Sequence, residues 1–142
     1  MVDEKTSQVT TPRRGPLQAL RIGSMVFGTA VLVQFYLAGT GIFGAGSTPL
    51  WKATSMDAHK TFGNVLAGLA LIVLVIAIIA RPPARILIAT IVMLVLTGVE
   101  GLIAGLGKTS SYLAAFHPVL AAVILGLAFV IPLWTRPLVK TA

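Results

Sequence analysis

Cysteine is absent from the 142 residues, which excludes disulfides, thiolate metal sites, c-type haem attachment and iron–sulfur clusters. Charge is nearly as scarce: Asp, Glu, Lys and Arg together make up 11% of the chain, against about 25% in ordinary soluble domains. Only four of these residues are acidic, and only two histidines occur. What fills the chain instead is apolar, at 56% of residues with a mean hydropathy of +0.94. That balance describes an integral membrane protein.

The apolar residues gather into four blocks, at about 20–43, 58–80, 85–106 and 113–134, each close to the ~20 residues that cross a bilayer as a helix. The blocks are rich in Leu, Ile, Val and Ala and lack the period-2 alternation of a barrel strand. Helices are then the spanning form that satisfies their backbone polar groups. Short connections, "RPPAR" after the second block and "GKTSSY" after the third, make successive helices antiparallel neighbours. The predicted fold is all-α, a transmembrane four-helix up-down bundle spanning 20–135. A disordered arm over 1–19 precedes it and a short tail over 136–142 follows it. No internal repeat stands out.

Basic residues set an expected orientation. Lys5, Arg13, Arg14, Arg21, Arg81, Arg85, Arg136 and Lys140 fall on one side of the predicted membrane, and Lys52, Lys60 and Lys108 on the other. Eight against three places both termini in the cytoplasm. The net charge of +7 is thus a topology signal. Nucleic acid is not an expected partner, because the cations are split between membrane edges. "RR" ahead of an apolar run and the later "GAGS" resemble parts of an export signal. The first block is longer than a usual signal core, so it is read as a retained helix.

Each predicted helix carries one strongly polar side chain: Gln34, His59, Glu100 and His117. Counted at 1.5 Å per residue, all four fall in the outer half of the bundle. His59 also reads as an interfacial residue beside Asp57, a good helix cap. His117 precedes Pro118, which favours a first helical turn. Gln34 reads as interhelical glue. Glu100 is the costliest, because a carboxylate this deep needs a proton, water or a partner.

Two histidines from two helices suggest a metal-bearing cofactor. Below His59 the helical repeat places Gly63 and Ala67, and below His117 it places Ala121, small residues suited to the floor of a cleft for a flat cofactor. One b-type haem on two axial imidazoles suits this layout better than zinc, which takes three or four ligands. Gln34, Asn64 and Glu100 would then support the site with hydrogen bonds. No catalytic motif is found, so the chain is not assigned as an enzyme.

The stretches "LVQFYLAGTGIFG", "DAHKTFGNVLAG", "RPPAR" and "AAFHPVLAAVILGLA" resemble a family of small bacterial four-helix membrane proteins of unknown function. The resemblance implies a multi-pass protein of the bacterial cytoplasmic membrane. A histidine opening helix two and another near the start of helix four also resemble one four-helix half of the haem A synthase family, distantly. That resemblance implies that His59 and His117 bind haem. The sequence departs from that family where Met56 replaces a glutamate and Lys60 an arginine, and it holds one bundle where the synthase holds two. Synthase activity is not implied.

Three functional classes follow. The first is a haem-bearing electron carrier or accessory, working with a quinone or a redox protein inside the lipid bilayer. The second is a cofactor-free structural or assembly protein. The third is a small proton-coupled transporter using Glu100, which the one-sided basic residues disfavour because such proteins need inverted repeats or dual topology. "GLIAG" offers Gly101 and Gly105 as a small-residue face, expected to pack within the bundle or else between two copies.

Overall fold

The computed structural model describes residues 14–44, 49–106 and 110–141. It consists of α1 (Arg14–Gly44), α2 (Pro49–Ala80), α3 (Ala84–Gly105), a one-turn α4 (Ser111–Ala114) and α5 (His117–Thr141). Four segments within α1, α2, α3 and α4–α5 are long and apolar enough to cross a membrane. The all-helical four-helix bundle expected from the sequence is therefore observed.

The helices outrun the apolar blocks. Residues 14–19, assigned above to a disordered arm, are the first turns of α1. Leu17 is fully buried there, packed with Ala80 and Val139, and that burial holds the extra turns. Residues 1–13 lie outside the described residues. α2 starts at Pro49, nine residues before its predicted start, with proline at the first helical position, where its missing N–H costs nothing. α5 runs through Pro132 and Pro137 to Thr141, so most of the predicted tail is helix, anchored by buried Val139.

α1 lies between α2 and α5, and α3 lies between the same two helices on the other side. α2 and α5 thus face each other across the bundle, as do α1 and α3. The core is a stack of Leu20, Phe27 and Val31 against small residues such as Ala70, Ala77 and Ala128, with Met93 and Ile131 filling between. A Cβ on Gly28 would lie 3.3 Å from Ala128 Cβ, so glycine is what lets α1 and α5 approach. Buried threonine hydroxyls are satisfied within their own helices, Thr90 donating to the Ile86 carbonyl at 2.8 Å and Thr97 to that of Met93 at 2.7 Å, whereas the buried Ser24 Oγ has no hydrogen-bond partner among the described residues. The outward face is as apolar as the core, with Ile22, Leu32, Ile72, Ile88 and Val95 all exposed. An apolar exterior of this kind suits hydrocarbon rather than water.

The α2–α3 turn is tight. Arg81 adopts φ 48° and its N–H donates to the Ala77 carbonyl at 3.0 Å, the left-handed helix cap that glycine usually occupies. An L-residue there costs about 1–2 kcal/mol. Pro82 and Pro83 follow and cannot prolong α2.

Candidate functional site

The four polar side chains singled out in the sequence meet at one end of the bundle. α1 and α2 run on past Gln34 and His59 by ten residues each, about 15 Å of helix, so His59 stands in the third turn of α2 and not at its start. Asp57 is correspondingly no helix cap; it lies within α2, exposed, 4.0 Å from Lys60. His117 is the first residue of α5, four residues beyond the start at 113 expected from the sequence, and Glu100 sits five residues from the end of α3.

Each histidine leans on the helix beside it in the same manner. His59 Nδ1 lies 3.3 Å from the Gln34 main-chain carbonyl, and His117 Nδ1 lies 3.4 Å from the Glu100 main-chain carbonyl. A carbonyl only accepts, so Nδ1 of each ring carries a hydrogen, and in the neutral ring Nε2 keeps its lone pair. The Gln34 amide nitrogen donates to the His59 carbonyl at 2.9 Å and stands 3.5 Å from His59 Nε2. Glu100 Oε1 is 3.7 Å from His117 Nδ1. The two imidazoles, brought in from the facing helices α2 and α5, have ring centroids 6.0 Å apart and planes 74° from parallel.

A cavity of about 170 Å³ lies between the helices at the level of the rings. Its walls are mostly apolar, running along α1 from Phe27 and Val31 past Gln34 to Ala38 and Ile42, with Leu66 and Ile124 opposite and the four polar side chains at mid-height. Gln34 Oε1 is buried with no hydrogen-bond partner, an acceptor awaiting a donor. Among the described residues no group of three or more His, Cys, Asp or Glu side chains is placed to hold a metal ion.

Several assignments need correction. Asn64 and Ala67 are exposed and do not line the cavity. At 100° per residue, position 64 lies about 140° around α2 from His59 and position 67 about 80°, while position 66 returns to within about 20°. Leu66 takes the place expected of Ala67. Gly63 does lie beside the site, where a Cβ would come within 3.3 Å of the Gln34 amide. Ala121 lines the cavity as expected. Gly101 and Gly105 face open space: a Cβ on either would meet nothing within 4 Å among the described residues, so the "GLIAG" face does not pack inside the bundle. Thr97, Phe27 and Phe35 also line the cavity and were missed. Thr97 was open to detection, three residues before Glu100 on the same helical face.

These features define a class: a multi-pass membrane bundle in which four spans deliver one polar side chain each to a shared, mostly apolar cavity. The chain belongs to a family of unknown function (DUF6220), whose sequence profile matches residues 34–107. Gln34, His59 and Glu100 fall inside the match, and His117 lies beyond it. No curated protein and no solved structure matches the chain, and the likeness to haem A synthases is not reproduced by these comparisons.

Proposed function

We propose that the bundle holds one b-type haem at the Gln34 end, with His59 and His117 as axial ligands, and serves as an electron carrier or haem-bound accessory. The observation that carries this reading is the matched setting of the two rings. Each turns Nδ1 to a main-chain carbonyl of the neighbouring helix, the arrangement by which metal-ligating histidines fix their tautomer and offer Nε2. A metal about 2 Å from each of two imidazole nitrogens separates the ring centroids by a little over 6 Å, and the observed 6.0 Å suits it. That spacing supports the donor pair as the part of the site that would hold the group.

Haem bound there would supply one-electron chemistry. The protein's own residues do the rest. Gln34 holds His59 from α1, Ala121, Leu66 and Ile124 keep water from the apolar side, and Glu100 can hold a proton 3.7 Å from His117. The partner would be a quinone or a redox protein. We place the protein in a bacterial cytoplasmic membrane with both termini in the cytoplasm, supported by the basic residues at that end of the bundle. The test is the absorption spectrum of the detergent-purified protein, oxidised and dithionite-reduced. Paired Soret and α-band shifts on reduction are expected. A flat visible spectrum after supply of excess haem would overturn the reading.

A cofactor-free structural role is the second reading, favoured by a separate observation. The cavity, about 170 Å³, is below the roughly 300–1,000 Å³ of most ligand pockets. The Gln34–His59 and Glu100–His117 contacts already tie α1 to α2 and α3 to α5. In this reading the polar quartet is interhelical glue.

A further inference from the structure

The end of the bundle opposite the polar quartet is strongly basic. Arg14 opens α1 and Arg21 follows within it, Arg81 forms the α2–α3 turn, Arg85 stands in the first turn of α3, and Arg136 and Lys140 lie in the last turns of α5. Three of the four spanning helices contribute, together with the turn that follows α2. The carboxylates among the described residues, Asp57 and Glu100, sit toward the other end, and no ion pair among the described residues involves any of these six cations.

Two of the cations occupy positions that local backbone energetics disfavours. Arg81 fills a left-handed cap at φ 48°, where glycine is the unstrained choice. Arg85 lies at the N-terminus of α3, where the helix dipole repels a cation, and α3 has no acidic residue in its first turn and no side-chain cap. Orientation alone asks only for basic residues somewhere near the membrane edge, so it does not account for these two positions. Arg85 is moreover held in place, its guanidinium 5.6 Å above the Trp134 ring. A stacked guanidinium keeps its N–H edges free for an anion.

We infer that Arg81 and Arg85, backed by Arg136, form a binding site for the phosphodiester headgroup of an anionic phospholipid at this edge of the membrane. The charge balance selects the occupant: among the described residues the site is cationic with no carboxylate nearby, so a headgroup of net negative charge complements it and a zwitterionic one does not. The apolar exterior directly beneath, with Ile88 and Leu133 exposed, receives the acyl chains of that same lipid. Trp134 marks the headgroup level, where aromatic residues gather.

The experiment uses the full chain in vesicles of equal parts phosphatidylcholine and phosphatidylglycerol, extracted gently, with the lipids that remain bound quantified. Several-fold enrichment of phosphatidylglycerol is expected for the native chain and for Lys60→Gln, which lies at the other end. Arg81→Gly is the informative variant, because glycine suits the turn's backbone: it should melt no lower than the native chain in detergent yet lose most of the enrichment. Arg85→Gln should lose it too. Equal retention of both lipids by the native chain, or undiminished enrichment in Arg81→Gly and Arg85→Gln, would overturn the inference. Displacement of the phosphatidylglycerol by inorganic phosphate, beyond that caused by chloride of equal ionic strength, would also overturn it by assigning the site to a free anion.

Discussion

Gln34 and His59 grip each other across the α1–α2 interface. The Gln34 amide donates to the His59 carbonyl at 2.9 Å, while the Gln34 carbonyl accepts from His59 Nδ1 at 3.3 Å. The exchange sets the His59 tautomer and depends on Gly63, since a Cβ there would stand 3.3 Å from the Gln34 amide nitrogen. Glu100 and His117 repeat half of the exchange between α3 and α5. The two histidines thus reach the bundle centre already oriented from opposite sides.

If both rings clamp one iron, removing either leaves a single axial bond. His59→Ala and His117→Ala are each expected to lose most bound haem, and the double variant to be scarcely worse than either, because the pair acts as one unit. Pyridine haemochrome on matched protein amounts measures this. Full occupancy in either single variant would remove the ligand pair.

Glu100 is partly buried beside His117, with its side chain 17% exposed. Glu100→Gln keeps a hydrogen-bonding group and is expected to fold at near-native yield. Glu100→Lys would place an ammonium at that depth, at a cost of up to about 2.5–3.5 kcal/mol on insertion scales, and should fall well below it. Equal detergent-extracted yields of the two variants would mean that Glu100 faces water.

Gly28 and Gly68 make a matched pair for packing. A side chain at Gly28 meets Ala128 and Phe129 at 3.3 and 3.4 Å, whereas Gly68 has nothing within 4 Å. Gly28→Val should lower stability by about 1–3 kcal/mol through overpacking, and Gly68→Val should change it little. Thermal unfolding in one detergent compares them, and similar losses in both would show that α1 and α5 are not in close contact.

With both termini in the cytoplasm, a reporter that matures only in the periplasm, fused after Ala142, should stay dark, and one fused to a site in the α1–α2 connection should be bright. The reverse pattern would invert the bundle and place the polar quartet at the cytoplasmic face.

The spans, their number and their polar members were legible in the sequence because a bilayer imposes a one-dimensional rule: apolar runs of sufficient length become helices, and each polar residue within them stands out against its neighbours. Gln34, His59, Glu100 and His117 were identified on that basis alone. Helix ends were less legible. Leu17 extends α1 and Val139 extends α5 by burial against Ala80, a contact between residues far apart in the chain that composition does not encode. Facing was decided by packing as well. Gly63, Ala67 and Asn64 look equally close to His59 in sequence, but α2 turns Leu66 and Ala70 to the core and leaves Ala67 and Asn64 outside. In lipid the outward face is as apolar as the inward one, so hydrophobicity carries no signal for which side of a helix meets its neighbours. Only the packing of α1 and α3 between α2 and α5 brought the two histidines ring to ring, because that meeting depends on helix rotation and not on the order of residues.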